Sequence, residues 1–335
     1  PFSQQKMMLP WGTALLVAFA GGAGATWATL PERLDQLDIR AMPEGTHPGS
    51  RPMKISAFVV ALESRKPHVE AFLLESGLMD FAVITPATPK SDVNLAQLRA
   101  THKVTNPHLV AGEIACTLSH HHVLSQFIND TTLTHAVVFE DDVITNPDVL
   151  ERLQGTVGKV SSATSSSSPA LVSLIEELAT TSYTLGWDGL NLGRCYDYCD
   201  VDVDLHQISS TASGGHVSPP LRVVHSCRPL CTHAYMMTRE GARRILGTKE
   251  YHSAEDVRRQ EMSRFGNLRY FSVTPRVFDQ ARGEQNTSEA AGDSINQKQG
   301  GELPECQPMN NPIAVHANIR KICSASLLQQ AGFSS

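Results

Sequence analysis

The chain contains one short apolar segment that ends in three consecutive acids, residues 137–143 (Val-Val-Phe-Glu-Asp-Asp-Val). Its β-branched and aromatic residues are typical of a buried strand, and the run is too short for a helix. Ligands of α/β folds bind at the carboxyl ends of strands, so the segment predicts carboxylates at a binding crevice. Because side chains alternate along a strand, Glu140 and Asp142 should share one face and Asp141 the other.

The acidic triplet also predicts a metal. Three adjacent carboxylates repel one another, and a divalent cation relieves this repulsion. Carboxylate oxygens suit Mn²⁺ or Mg²⁺, which in turn bind phosphate-bearing substrates. We therefore expect Glu140 and Asp142 to be metal ligands. Acids at a strand end also cap helices or form turns, and the motif alone leaves that alternative open.

Length and charge limit the possible partners. At 335 residues the chain can form one substantial core, with or without a smaller appendage. Its formal net charge is −6 and it has no basic tract. Nucleic-acid binding depends on clustered Lys and Arg that neutralise phosphates, so we expect no nucleic-acid partner. Small molecules or glycans are the expected partners.

The first 30 residues predict a membrane anchor. Residues 7–30 carry no charge and exceed the length of about 20 residues that a bilayer requires. Trp11 and Trp27 fit the two interfaces, and Lys6 lies on the short N-terminal side. This pattern favours a single-pass type II anchor in the ER or Golgi membrane. The small residues 21–25 leave a cleaved signal peptide open, and either version sends the remainder into the secretory lumen.

Seven cysteines fit an oxidising lumen. The disulfide candidates are Cys195, Cys199, Cys227, Cys231, Cys306 and Cys323. The repeated spacing of the first four leaves a four-thiolate zinc site open, although the lumen favours disulfides. Cys306 and Cys323 are expected to pair, and Cys116 to remain a buried free thiol. Asn129 and Asn286 begin glycosylation sequons, which a eukaryotic-type lumen could use.

Composition divides the chain into four predicted parts. Residues 1–30 form the anchor, and residues 31–52, rich in Pro, Gly and charge, form a stem. Residues 53–288 form a globular domain, which residues 289–335 extend. Inside the domain, residues 155–169 include six serines and predict a flexible insertion.

Strands alternate with helices along this domain. Apolar patterns predict strands over residues 55–62, 81–84, 136–139, 187–192 and 234–237. They predict helices over residues 68–76, 113–127, 171–179 and 242–246, and a loop over 208–220. This alternation indicates an α/β fold with a mostly parallel sheet flanked by helices.

Four segments form an ordered series. They are residues 112–120 (Gly-Glu-Ile-Ala-Cys-Thr-Leu-Ser-His), the acidic strand 137–143, residues 187–193 (Trp-Asp-Gly-Leu-Asn-Leu-Gly) and residues 232–242 (Thr-His-Ala-Tyr-Met-Met-Thr-Arg-Glu-Gly-Ala). The series resembles glycosyltransferase family 25, which includes bacterial lipooligosaccharide and animal collagen galactosyltransferases. In that family the first segment is Gly-Glu-x-Gly-Cys-x-Leu-Ser-His and the last is Thr-x-Ala-Tyr-x-x-Ser-x-x-Gly-Ala. Order and spacing agree over roughly residues 55–288.

The resemblance implies a GT-A-like, Rossmann-like fold and an inverting, metal-dependent enzyme. Such an enzyme moves a hexose, most often galactose, from a UDP-sugar to a glycan, glycoprotein or hydroxylated protein acceptor. Mn²⁺ or Mg²⁺ would be the cofactor, and residues 53–288 the catalytic domain. The serine-rich insertion and the region from Cys195 to Cys231 have no counterpart in the family pattern, so the resemblance assigns no acceptor recognition.

By the same resemblance, eight residues are expected to bind the donor: Arg65, Ser119, His120, Glu140, Asp141, Asp142, Tyr235 and Gln280. Arg65 is the single match to the paired arginines that follow the family's first strand. For Ser119 and His120, hydrogen bonds to a neighbouring loop are an open alternative. For Tyr235 the alternative is packing in the core.

An inverting transfer needs a general base within hydrogen-bond reach of the acceptor hydroxyl. Asp256 is the preferred catalytic candidate and Asp188, in the third segment, the other. An acid in the first turn of a helix explains Asp256 equally well. Arg239 and Arg243 could meet a diphosphate, although arginines on a helix are more typical of a solvated face.

Two other classes of protein remain as alternatives. A catalytically inactive family member could act as a glycan-binding or adhesion module, yet such a module has no need for three mutually repelling carboxylates. A metal hydrolase of phosphate esters would need a second cluster of His and Asp for a two-metal site. The sequence shows no second cluster.

Overall fold

The computed structural model describes residues 53–156, 169–208, 220–281 and 304–307, all within one compact unit that spans Ser50–Ser335. Within this part of the chain, no helix has the length and apolar character of a membrane span. The predicted anchor and stem, most of the serine-rich insertion, Asn286, Cys323 and most of the C-terminal extension lie outside the described residues.

Ten strands occur in the described part of the chain: β1 Ile55–Ala61, β2 Ala82–Pro86, β3 His135–Glu140, β4 Val143–Thr145, β5 Gly189–Asn191, β6 Val203–Gln207, β7 Arg222–His225, β8 Ala234–Thr238, β9 Tyr270–Thr274 and β10 Phe278–Gln280. Eight form one sheet in the order β2-β1-β3-β8-β5-β9-β7-β6, and β10 pairs with β4 separately. The helices are α1 Lys66–Ser76, α2 Leu95–Ala100, α3 Ala111–Asn129, α4 Pro147–Thr156, α5 Pro169–Leu185, α6 Arg239–Leu246 and α7 Glu255–Arg264. The α/β prediction is confirmed.

The large sheet is mixed. Strands β7 and β8 run opposite to the other six, so that among the described strands β1–β2, β1–β3 and β5–β9 are parallel pairs while the remaining neighbours are antiparallel. Parallel neighbours need a crossover connection, usually a helix. Helices do separate β1, β2, β3 and β5 along the chain, and these four share one direction. No described α-helix lies between β5 and β8, so the alternation of strands and helices could not predict that β7 and β8 run in the opposite direction.

Helices cover both faces of the sheet. On one face, α1, α4 and α5 pack against Val137 and Phe139 of β3, and on the other, α3 and α6 pack against Val138. Each of these three β3 side chains is fully buried. A strand that is buried on both faces is apolar throughout rather than alternating. This burial explains why residues 137–139 are uniformly apolar.

Close packing explains why the fourth segment has a glycine at position 241. Gly241 lies in the first turn of α6, where an added Cβ would collide with the carbonyl oxygen of Asp188 before β5. Thr238 caps the same helix, since its Oγ1 accepts a hydrogen bond of 3.1 Å from the Gly241 N–H. The segment therefore fixes the close approach of α6 to the sheet.

Buried His135, at the start of β3, predicts acid sensitivity. Burial lowers its pKa from 6.5 to about 4, so between these values the unfolded chain binds more protons than the folded one. The free energy of unfolding should fall as pH drops through this window, by up to about 3 kcal/mol for this group. His121, whose pKa is also lowered to about 4, mainly by burial, should add a similar slope.

Urea denaturation at a series of pH values tests this prediction. As pH drops from about 6.5 to 4, the unfolding free energy of His135→Gln should lose up to about 3 kcal/mol less than that of the unchanged chain. The contribution of His121 and the contributions of opposite sign from Asp142 and Asp202 remain in both proteins. His122→Gln, at an exposed position of α3, is the matched control and should keep the original slope. Equal slopes for His135→Gln and the unchanged chain would contradict the prediction.

Candidate active site

A cleft of about 390 Å³ lies at the carboxyl edge of β1 and β3. Its lining comes from the ends of these strands, the first half of α3, the loops around Cys195 and Arg228, the first turn of α7, and β10. Seven residues expected from the sequence meet there: Ser119, His120, Glu140, Asp141, Asp142, Asp256 and Gln280.

Glu140 ends β3 and is held by donors from two other segments. Its Oε1 accepts hydrogen bonds from Thr232 Oγ1 at 2.5 Å and from His120 Nε2 at 3.1 Å. Burial alone would raise the pKa of Glu140, but the hydrogen bonds and charge of His120, together with Thr232, lower it to about 2. Glu140 is therefore a partly buried carboxylate that remains ionised.

Tyr235 supports this arrangement from the core. Its hydroxyl lies 3.1 Å from His120 Nδ1, which accepts the proton when Nε2–H points to Glu140. The Tyr235 ring is fully buried and packs against the Arg259 guanidinium, whose Cζ is 3.8 Å from the ring centroid. Tyr235 does not line the cleft, so the expectation that it stacks on the donor is wrong. The alternative of core packing holds.

Asp141 points away from Glu140 and ties down the backbone after β1. Its Oδ2 accepts a hydrogen bond of 2.9 Å from the Leu62 N–H, and its Oδ1 lies 3.8 Å from Arg65 Nε. Arg65 also donates to the Asp141 carbonyl at 3.4 Å. Arg65 is absent from the cleft lining, because its side chain is turned toward this loop. Asp141 and Arg65 thus hold the backbone after β1 against the end of β3.

Asp142 has a different environment. Its Oδ2 accepts a hydrogen bond of 2.6 Å from Gln280 Nε2, whereas its Oδ1 is buried and has no hydrogen-bond partner. Burial, followed by the charges of Glu140 and Asp141, raises the pKa of Asp142 to about 8. A buried polar oxygen without a partner is costly. The carboxylates of Glu140 and Asp142 therefore fit a hard divalent cation, which would satisfy this oxygen.

Cys116 is free, as predicted, and lines the same cleft. Its Sγ lies within 4.8 Å of ligand atoms of His120 and Glu140. Both His120 nitrogens already contact Glu140 and Tyr235, and burial raises the pKa of the Cys116 thiol well above its usual value. These three residues consequently do not offer a thiolate–imidazole metal site.

The two candidate bases lie in different places. Asp256 lines the cleft from the first turn of α7, where it accepts hydrogen bonds from Val257 N at 2.7 Å and Cys231 N at 3.3 Å. Burial raises its pKa. Asp188 precedes β5 at the amino edge of that strand, is almost fully buried and accepts a hydrogen bond of 2.8 Å from Arg269 N. Asp188 therefore lies at the opposite end of its strand from the carboxyl edge and does not line the cleft, so that Asp256 is the one of the two candidates that the structure places there.

Ser119 has both expected properties. It lines the cleft, and its Oγ accepts a hydrogen bond of 2.8 Å from Thr88 N while donating to Ala115 O at 2.7 Å. The hydroxyl therefore joins α3 to the loop after β2. Of the two helix arginines considered for a diphosphate, Arg239 donates to backbone carbonyls at the end of α3 and Arg243 pairs with exposed Glu240. Neither reaches the cleft.

Disulfides build the wall opposite the acids. Cys195 is linked to Cys231 and Cys199 to Cys306, with Cα–Cα distances of 5.8 and 5.4 Å. Cys227 is also disulfide-bonded. The four-thiolate zinc alternative and the Cys306–Cys323 pair are both wrong, because β-bridges bring Cys195 beside Leu230 and Asp197 beside Cys306. Close backbone pairing across these bridges, not spacing in the sequence, selects the partners.

A buried arginine stabilises this wall. Arg194 is fully buried, with ion pairs to Asp197 at 3.2 Å, Asp202 at 2.8 Å and Glu305 at 3.1 Å. Glu305 also accepts hydrogen bonds from Thr274 Oγ1 at 2.9 Å and Arg276 N at 3.1 Å. Residues 304–307 are thereby held against the loop that carries Cys195.

Part of the chain is similar to a known protein family. Residues 55–185 match the model of glycosyltransferase family 25 (LPS biosynthesis protein). The predicted resemblance is confirmed for this region, and the match suggests a glycosyltransferase. No curated protein matches the chain. The crystal structure of A197 from STIV aligns at 11% identity over 68% of this chain and 84% of that one, with a TM-score of 0.33, a similarity too low to support any argument.

The family match covers only one wall of the cleft. It extends from β1 to α5 and includes His120, Glu140 and Asp142. Asp256 and the disulfide-linked wall lie beyond it. Two parts of the site went unnoticed in the sequence: Thr232, although it begins the fourth segment, and the Arg194–Glu305 pair, whose members are 111 residues apart. Of these, only Thr232 lies in a segment that the sequence analysis had singled out.

Removal of the buried arginine should destabilise the fold. Arg194→Met would leave three carboxylates without their shared cation, so we expect the free energy of unfolding to fall by about 3–5 kcal/mol. The matched control is Arg222→Met, which breaks a largely exposed pair with Asp204 and should cost at most about 1 kcal/mol. Urea denaturation monitored by circular dichroism measures both, and equal losses would contradict the assignment.

Proposed function

We propose that this chain is an inverting, metal-dependent glycosyltransferase that transfers a hexose, galactose, from a UDP-sugar to a glycan or hydroxylated protein acceptor. The family match over residues 55–185 supports the class of enzyme. The observation that carries the proposal is the pair of cleft carboxylates, ionised Glu140 and Asp142 with its unpartnered buried oxygen. The two carboxylates that could bind a divalent cation lie within the region that matches the glycosyltransferase family.

The proposed cofactor is Mn²⁺ or Mg²⁺, held by Glu140 and Asp142. When bound, such an ion would neutralise charge that develops on the departing diphosphate. The protein's own contribution is to keep the two carboxylates in place before the donor arrives. His120 and Thr232 orient Glu140, and Gln280 orients Asp142.

Asp256 is the proposed general base. As the acceptor hydroxyl oxygen attacks the anomeric carbon, the bond from that carbon to the diphosphate oxygen breaks and the hydroxyl proton passes to Asp256. Burial raises the pKa of Asp256, which makes this carboxylate a stronger proton acceptor than an exposed aspartate. Its two backbone hydrogen bonds fix its direction.

The proposal extends to fold family and compartment. A mixed sheet with helices on both faces and a cleft at its carboxyl edge is consistent with a GT-A-like fold. Disulfides are consistent with an oxidising secretory lumen, and we propose the ER or Golgi, with membrane attachment through the N-terminal segment. Asn129 is exposed at the end of α3, where a glycan could be attached.

Loss of a metal ligand should abolish turnover. We expect the purified chain to release UDP from one member of a UDP-sugar panel in Mn²⁺, and Asp142→Asn to lower this rate about a hundredfold or more. A coupled assay for UDP measures the rate, and chelation should have the same effect. Asp204→Asn, at an exposed position outside the cleft, is the control and should remain active. No turnover with any donor, combined with chelator-insensitive glycan binding, would instead identify an inactive binding module.

Loss of the base should separate binding from chemistry. Asp256→Asn should lower the rate of transfer by about a hundredfold or more, since general-base catalysis typically contributes about 10²–10⁴-fold. Binding of UDP, measured by titration calorimetry in Mn²⁺, should be unchanged because Asp256 is assigned to the acceptor. A variant that transfers sugar at the original rate would show that Asp256 only caps α7.

A further inference from the structure

The charges that line the cleft are unbalanced. Among the described residues its lining includes six carboxylates but only two permanently charged cations, Lys90 and Arg228. A diphosphate entering such a cleft meets strong repulsion unless cations face it. One divalent ion between Glu140 and Asp142 does little more than neutralise its own two ligands. The position of the remaining cations therefore decides whether an anionic donor can bind.

Arg228 differs from the other arginines of the site. Arg65, Arg194 and Arg259 each form an ion pair with a carboxylate. The Arg228 guanidinium has no ion pair among the described residues; its Cζ lies 5.9 Å from the centroid of the buried Tyr198 ring. A guanidinium that packs on an aromatic ring and lines an acidic cleft is available for an incoming anion.

The backbone around Arg228 is fixed. Arg228 N donates a hydrogen bond of 2.7 Å to Asp197 Oδ1, and Leu230 N donates one of 2.7 Å back to Arg228 O. The five-residue loop begins at Cys227 and ends at Cys231, and both cysteines are disulfide-bonded. Cys231 has φ of 69°, in the left-handed region that non-glycine residues rarely adopt. Such a constrained loop presents its side chain with little loss of conformational entropy on binding.

We infer that Arg228 binds the diphosphate of the nucleotide-sugar donor, an inference that rests on the proposed function. The planar guanidinium forms paired hydrogen bonds with phosphate oxygens, which a single ammonium cannot do. Lys90 lines the cleft from the segment after β2, so that the two cations of the lining come from different parts of the chain. Arg228 lies outside the region matched by the family model, which ends at residue 185.

The test compares nucleotides with and without phosphates. Titration calorimetry of the full chain in Mn²⁺ gives dissociation constants for UDP and uridine with the unchanged chain, Arg228→Met and Arg228→Lys. We expect Arg228→Met to weaken UDP binding about tenfold to a hundredfold, as loss of a charge-assisted hydrogen-bond pair would, and to leave uridine binding within about twofold. The dissociation constant of Arg228→Lys for UDP should lie between those of the unchanged chain and Arg228→Met, because lysine keeps the positive charge but lacks the planar guanidinium that forms paired hydrogen bonds. Arg222→Met, on β7 and paired with Asp204, is the control and should leave both constants unchanged.

The outcomes separate the two proposals. If the unchanged chain binds UDP but Arg228→Met weakens it no more than Arg222→Met, the role of Arg228 is refuted and the proposed function stands. Equal weakening of UDP and uridine would refute it as well, since the variant would then have disturbed the cleft as a whole. Unchanged UDP binding with a raised KM for acceptor would reassign Arg228 to the acceptor. Failure of the unchanged chain to bind UDP would overturn both proposals.

Discussion

The candidate site depends on one partly buried carboxylate, Glu140, that is held ionised by neighbouring donors. His120 on α3 and Thr232 before β8 contact it directly, while Tyr235 and Arg259 support His120 from behind. Because the donors come from separate segments of the chain, these segments must pack together before Glu140 is held in this way. The position of the acids is consequently settled by folding, before any ligand is present, and such preorganisation is what electrostatic catalysis requires.

Short sequence motifs predicted the part of the site that comes from α3 and the end of β3. The uniformly apolar run before Glu140 indicated a buried strand, and the family resemblance of residues 112–120 placed His120 among the expected donor-binding residues. The same patterns could not show which edge of the sheet a residue occupies. Asp188 and Tyr235 lie in segments that resemble the family, yet Asp188 accepts a backbone hydrogen bond at the amino edge and Tyr235 packs in the core. A segment that resembles the family contains residues with fixed roles, but the resemblance does not show whether a given residue packs in the core or takes part in the chemistry.

The other wall of the cleft had little local signal because long-range contacts create it. Strands β6 and β7 are short and partly polar, so their pairing follows from the sheet and not from their own sequence. Cys199 joins a cysteine 107 residues away, and Arg194 meets Glu305 across a similar interval. Charge pairs and disulfides of this kind become visible only when the chain path is known. This wall also lies outside the family match, which ends at residue 185.

The tie between Arg194 and Glu305 imposes an order on biosynthesis. A ribosome releases Arg194 long before Glu305, and in the interval the guanidinium has two of its three carboxylate partners. The emerging polypeptide can thus assemble the acidic strand and its helices first, but the opposing wall closes only when residues 304–306 arrive. A nascent chain stalled or cleaved upstream of that point would leave Arg194 without Glu305 and Cys199 without its disulfide partner, so that this side of the crevice would stay open.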